Sequence, residues 1–261
     1  MTGPAAGLTA ALGGGLPWNV MTALRRRVPV ACLPLVLLAC APQTVQPRAD
    51  AADDQAEARA RMVDRQIQAR GVADDRVLEA MRRVPRERFV PLLYRGSAYA
   101  DHPLSIGYGQ TISQPFIVAW MTEALQLTPE SRVLEVGTGS GYQAAVLGEL
   151  AREVYTIEIV ESLAKTARET LSALGYENVQ VRHGDGYLGW PERAPFDGIM
   201  VTAAPDHVPQ PLIDQLAVGG RLVIPVGRQD SMQLMTVITK TESGITRRET
   251  IPVRFVPLVR P

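Results

Sequence analysis

The stretch VLEVGTGSGYQAA, Val133 to Ala145, constrains this chain more than any other. Val133, Leu134 and Val136 are apolar and β-favouring, Gly137, Thr138, Gly139, Ser140 and Gly141 allow a tight turn, and Gln143 to Leu147 begin a helical pattern. A strand, a glycine turn and a helix opening in that order form a device for holding a nucleotide. Glycine is required because a Cβ would keep the backbone from closing on a ligand and from taking positive φ. Further on, VYTIEI from Val154 to Ile159 reads as a second strand. It delivers Glu158 about twenty residues after the first glycine, the offset at which a carboxylate meets ribose hydroxyls.

The spacing also separates ligand classes. A dinucleotide fingerprint needs a third glycine where this chain has Tyr142, so the loop reads G-x-G-x-G, preceded in the strand by Glu135. That argues against a pyrophosphate. An acid at the strand end repels phosphates and suits a ligand carrying an amino group and a sulfonium, which is S-adenosylmethionine. The competing reading is a carboxylate that caps nearby backbone N–H groups. His183-Gly184-Asp185-Gly186 follows another expected strand, at the sheet end where such folds bind ligands. Asp185 can accept from an adenine amino group; an Asp-Gly turn binding its own backbone is the alternative.

Charge and cysteine content exclude other classes. Lys plus Arg equal Asp plus Glu at 27 each, leaving no basic field for nucleic acid, so no nucleic-acid partner is expected. The three histidines, His102, His183 and His207, are too scattered for metal ligands, and no metal is expected. Both cysteines, Cys32 and Cys40, fall in an N-terminal apolar stretch, so the rest of the chain has no thiol nucleophile. There, Arg25 to Arg27 precede the apolar run Val28 to Ala39, the order of a secretory signal, and the run is too short to span a bilayer. Leu37-Leu38-Ala39-Cys40 resembles a bacterial lipoprotein cleavage box, and Met21 is an alternative start. Residues 1–55 are therefore read as a leader, with Ala41 to Asp54 as its linker, and 56–261 as the folded domain.

From Ala56 onward the pattern is regular. Met62, Val63 and Ile67 put an apolar stripe on a helix ending at Gly71, and Asp74-Asp75 open a second helix that runs to Pro85, giving a small helical N-terminal subdomain. A loop-rich stretch, Pro91 to Pro115, leads to a helix from Phe116 to Leu127. Beyond Glu158 come helix Ser162 to Leu174, strand Val179 to Arg182, strand Phe196 to Thr202, helix Val208 to Leu216 and strand Gly220 to Val226. This alternation predicts an α/β fold with a doubly wound, mostly parallel sheet. Met232 to Lys240 and Thr246 to Val259 read as a C-terminal antiparallel hairpin at the sheet edge.

Taken together, GYGQTISQP from Gly107 to Pro115, VLEVGTGSGYQAA, RHGDG, PFDGIMVTAAP, GGRLVIPVG and the ending RFVPLV closely resemble the protein-L-isoaspartate O-methyltransferase family, over roughly Met62 to Val259. The glycine loop alone indicates only class I S-adenosylmethionine-dependent methyltransferases with a Rossmann-like fold; the added GQTISQP is specific. Ser105 departs from the proline expected there, and the leader departs from the family's cytosolic setting. The resemblance implies methyl transfer from S-adenosylmethionine to the α-carboxylate of L-isoaspartyl residues in damaged proteins and peptides, whose ester collapses to a succinimide and reopens partly as aspartate. It implies a monomer in the cytoplasm. A membrane association follows only if Cys40 is lipidated, the alternative being a periplasmic or outer-membrane lipoprotein.

By the same resemblance Ser113 is the active-site hydroxyl that aims the substrate carboxylate, with Gln110, Thr111, Ile112 and Arg254 around the substrate. Glu135, Gly137, Thr138, Gly139, Ser140, Gly141, Glu158, Asp185 and Gly186 form the cofactor site. On its own, Ser113 before Gln114-Pro115 reads first as a helix N-cap, and both roles are compatible at a helix end that favours anions. The RFVPL ending closes over the substrate peptide or fills the core as an edge strand. A methyltransferase of other specificity and an exported binding lipoprotein on the same fold are the competing functions.

Overall fold

In the structure, a computed structural model, backbone is described from residue 49 to 261 and side chains from 54. The leader, with Met21, Cys32 and Cys40, lies outside the described residues. Helix α1 is Ala49–Met62, so 49–54, expected as linker, is helical; its sequence ADAADDQAEARARM is rich in alanine, the best helix former. A π-turn at Val63–Ile67 and a 3-10 turn at Gln68–Arg70 continue it to Gly71, which ends it at φ +97°. Helix α2, Asp75–Arg83, starts where Asp74 accepts the Arg76 N–H at 2.9 Å, a side-chain N-cap.

The expected loop from Pro91 to Pro115 contains a small antiparallel hairpin, β1 (Leu104–Gly107) and β2 (Gln110–Ile112). Three successive residues with positive φ, Gly107, Tyr108 and Gly109, make its turn. At the departure noted above, the Ser105 hydroxyl accepts the Gly107 N–H at 3.4 Å. Helix α3 (Pro115–Leu125) follows directly.

The main sheet holds β3 (Arg132–Val136), β4 (Glu153–Glu158), β5 (Val179–His183), β6 (Phe196–Val201), β7 (Leu216–Val226), β8 (Gln233–Thr241) and β9 (Gly244–Val253). Helices α4 (Tyr142–Gly148), α5 (Glu161–Ala173) and α6 (Gln210–Asp214) connect them. The strand order is β5-β4-β3-β6-β7-β8-β9, parallel from β5 through β7 and antiparallel for the last two pairings. The expected doubly wound sheet with an edge hairpin is thus observed. Two spans are corrected: α6 is shorter than Val208 to Leu216, and β9 stops at Val253, leaving 254–261 to run across the sheet end.

Apolar residues alternate between two cores because β3 is covered on both faces. Val133 points into the larger one with Phe116, Tyr142 and Val154, while Leu134 and Val136 join Ile157, Leu212 and Ile224 on the other side. Met62, Ile67, Leu78 and Met81 belong to the larger cluster, so the N-terminal helices share that core. From β3 the chain winds outward through β4 and β5, then returns to the opposite side of β3 with β6. That reversal opens a crevice at the carboxyl ends of β3 and β6, the position where open α/β sheets bind ligands.

Candidate active site

The crevice is built by the glycine turn. Gly137 follows β3 at φ +99°, and its N–H donates to the Ile157 carbonyl at 2.8 Å. A Cβ there would come within 3.0 Å of the Thr202 hydroxyl, which donates to the Gly137 carbonyl at 2.6 Å. Gly186 crosses so close to Val136 that a side chain would collide with it. Gly141, at φ +89°, packs on Ala167 and Leu171 of α5 and sits away from the crevice.

Glu158 ends β4 beside the loop. Its carboxylate accepts the Gly139 N–H at 2.8 Å with one oxygen and the Val160 N–H at 2.9 Å with the other. Each oxygen keeps a further lone pair for a ribose hydroxyl. Gln110, Gly137, Gly139, Glu158 and Gly186 line one cleft, roofed by Val256 to Val259. Its free volume is only about 50 Å³, so a nucleoside-sized ligand requires this roof to shift. The roof is tied down by hydrogen bonds from Leu258 N to the Ala204 carbonyl and from the Tyr187 hydroxyl to the Leu258 carbonyl.

Glu135 stands apart from the cleft. It is 0 % exposed, and one carboxyl oxygen accepts the Thr156 hydroxyl at 2.6 Å while the other has no partner. Burial pushes its pKa up to about 8, so the group is protonated at neutral pH. Thr156 in turn shares a hydrogen bond with the Thr138 hydroxyl at 2.6 Å. The chain Thr138, Thr156, Glu135 therefore braces the loop from beneath; the negative end expected from the sequence does not face the cleft. Asp185 caps the short turn after β5, accepting the Tyr187 N–H at 2.9 Å. Ser140 also lies outside the cleft lining.

A second cavity of about 480 Å³ adjoins the cleft, lined by Ser113, Gln114, Ile117, Met232, Arg254 and Phe255 among others. The two spaces share Thr111, Thr202 and Val256 as walls. Ser113 is not the N-cap expected from its sequence context: Gln114 holds that position, with Pro115 in the first turn, and no side chain caps the helix. The strand β2 runs up to Ile112, so Ser113 lies one residue before the cap position and lines the groove. Ile112 is buried and paired with Leu104, and it lines neither the cleft nor the groove.

Two further residues were not legible beforehand. Thr202, just after β6, joins both spaces, and the rule that ligands sit at strand carboxyl ends could have found it. Arg86 lies in a run of basic residues that reads as a solvated face, yet it is 0 % exposed and donates to the Ser113 carbonyl at 2.7 Å.

A cleft at the sheet's switch point, joined to a groove holding a free serine hydroxyl, matches the resemblance seen in the sequence. The profile of the family described as protein-L-isoaspartate(D-aspartate) O-methyltransferase (PCMT) matches residues 57–261. This chain belongs to that family. A Gloeobacter violaceus protein-L-isoaspartate O-methyltransferase is 63% identical over 199 residues, covering 76% of this chain and 97% of that one. A solved protein-L-isoaspartate O-methyltransferase superposes with TM-score 0.69 at 32% identity, covering 76% of this chain and 65% of that one, just under two thirds of its length. A Plasmodium falciparum structure of this family type, in complex with S-adenosyl-L-homocysteine, has TM-score 0.67 at 28% identity and covers 78% and 99% of the two chains. The methyltransferase acts with S-adenosylmethionine on isoaspartyl residues. Among its described residues no group of three or more His, Cys, Asp or Glu could hold a metal ion, and no helix is long and apolar enough to cross a membrane.

Proposed function

We propose that the cleft and the groove act as one site, in which a substrate α-carboxylate held near Ser113 meets the methyl group of S-adenosylmethionine held by the glycine loop. The observation that supports this is the shared wall of Thr111, Thr202 and Val256, which joins the two spaces directly. When bound, the cofactor supplies an electrophilic methyl on a positively charged sulfur. Glu158 receives its ribose hydroxyls, Gly137, Gly139 and Gly186 let the backbone approach, and the second oxygen of Asp185 accepts the adenine amino group. Thr138, Ser140, Gly141 and Glu135 set the loop's shape from behind.

On the substrate side, the Ser113 hydroxyl donates to the carboxylate and aims it, without forming a covalent intermediate. The backbone of Gln110, Thr111 and Ile112 flanks the same segment, and Arg254 offers a cation to the peptide. A carboxylate is already ionised at neutral pH, so no strong base is needed. Alignment carries the catalysis, and positioning of this kind supplies roughly 7 to 11 kcal/mol of barrier lowering. The Glu135 carboxyl takes no part in the proton balance, being buried away from the groove.

The folded domain, 56–261 by the sequence reading, works as a cytoplasmic monomer in this proposal, because the methyl donor is made there. An exported lipoprotein is the alternative carried by Arg25 to Cys40. Mass spectrometry of the mature N-terminus separates them: a diacylated Cys40 overturns the cytoplasmic reading. The catalytic proposal is tested by methyl transfer from labelled S-adenosylmethionine to one peptide in isoaspartyl and aspartyl forms. Base-labile label on the isoaspartyl form alone is expected; no label despite cofactor binding would overturn the substrate assignment.

A further inference from the structure

Arg86 is a buried cation with no anion. Among the described residues it forms no ion pair, its Nε donates to the Ala98 carbonyl at 2.7 Å, its Nη2 donates to the Ser113 carbonyl at 2.7 Å, and its Nη1 is buried without a partner. The guanidinium carbon lies 4.8 Å from the ring centre of Tyr142, the first residue of α4 after the glycine loop. Burial lowers its pKa to about 10, which leaves it charged at neutral pH. Taking such a charge out of water without a carboxylate is costly, so an otherwise neutral core residue would serve packing better.

The carbonyl that Arg86 holds belongs to the same peptide unit as the Gln114 N–H. That bond is trans, so the N–H points away from the guanidinium. Ser113 and Gln114 line the groove, whereas Arg86 lies wholly behind it. The Gln114 N–H has no acceptor among the described residues and stands at the N-terminus of α3, where the helix dipole also favours an anion. Asp101 braces the same segment by accepting from Gln114 Nε2 at 2.7 Å.

We propose that Arg86 is a positioning residue for the substrate carboxylate: by holding the Ser113 carbonyl it presents the Gln114 N–H to the groove and places a positive charge behind it. This rests on the reading that the groove takes an anionic α-carboxylate. As the methyl group arrives the carboxylate loses its charge, so a cation behind it favours the bound ground state over the transition state. Its loss therefore appears in KM more than in kcat.

The test uses the full chain with Arg86→Met, Arg86→Lys and Arg86→Gln. Each is assayed with an isoaspartyl peptide as substrate and with the same peptide bearing an α-carboxamide as a competitive inhibitor. Arg86→Met is expected to raise KM about tenfold or more, the scale of a hydrogen bond to a charged group. Its kcat should stay within about threefold and the amide's Ki within about twofold, since the amide has no charge to lose. Arg86→Lys should retain more of the substrate affinity than Arg86→Gln; that pair carries the comparison if the methionine variant does not fold. KM and Ki rising together, an unchanged KM in folded Arg86→Met, or equal KM for the lysine and glutamine variants would each overturn the inference. Failure of the wild-type chain to methylate the isoaspartyl peptide while binding S-adenosylhomocysteine overturns the substrate reading, and this inference with it.

Discussion

Replacing Gly137 by alanine should destabilise the fold around the cofactor cleft for two separable reasons, and a second substitution can tell them apart. The first is conformational: at φ +99° an L side chain costs about 1–2 kcal/mol. The second is steric. The new Cβ would fall within 3.0 Å of the Thr202 hydroxyl, forcing that side chain off its bonds to the Gly137 carbonyl at 2.6 Å and the Val136 carbonyl at 3.1 Å. Losing a net hydrogen bond adds about 0.5–1.5 kcal/mol. Together these make about 1.5–3.5 kcal/mol of folding stability. Thr202→Ala removes the colliding hydroxyl and leaves a Cβ 3.6 Å away, an ordinary contact. In a double-mutant cycle the steric part should vanish and the conformational part remain, so Gly137→Ala should cost about 1 kcal/mol less in the Thr202→Ala background. Chemical denaturation of the ligand-free protein measures all four corners. A Gly137→Ala chain whose unfolding free energy lies within about 0.5 kcal/mol of the parent, or a strictly additive cycle, refutes the reasoning.

Ser113→Ala should leave S-adenosylhomocysteine affinity nearly intact while turnover falls, read from initial rates; unchanged turnover removes the serine from the site. For Glu135, the folded pKa of about 8 stands above the ordinary carboxylate value of 4.5, so the stability it contributes is full at low pH and is lost as pH rises toward 8. The melting temperature of Glu135→Gln minus that of the parent should then climb between about pH 5 and 8 and level off above; a flat difference places the carboxyl outside a dry site. Asp74→Ala removes the α2 cap and should cost about 1 kcal/mol, lowering Tm by about 2–4 °C without changing KM. Arg254→Ala should raise the peptide KM and leave cofactor affinity unchanged, since Arg254 lines the groove and not the cleft.

Locally encoded features were open to reading in the chain itself. The alternation of strands and helices, the turn at Gly137 to Gly141 and the edge hairpin follow from apolar periodicity and glycine placement, which act over a few residues. The position of Glu158 was also accessible, because a fixed strand and helix length carries it to the loop. The hairpin at β1 and β2 was missed because its strands are three and four residues long, too short for an alternating pattern to register. Its presence decided that Ser113 does not cap α3.

What tertiary structure alone decided concerns burial and direction. Nothing in VPRERF distinguishes Arg86 from its exposed neighbour Arg88, since a guanidinium's environment comes from residues such as Ala98, Ser113 and Tyr142, far along the chain. Glu135 likewise reads as a charge at a strand end, and only the covering of β3 on both faces makes it a neutral brace linked through Thr156 to Thr138. The sequence by itself determined the fold and the loop, because those depend on periodicity and backbone freedom. Which polar groups face the ligand and which hold the loop from behind depended on packing between distant segments.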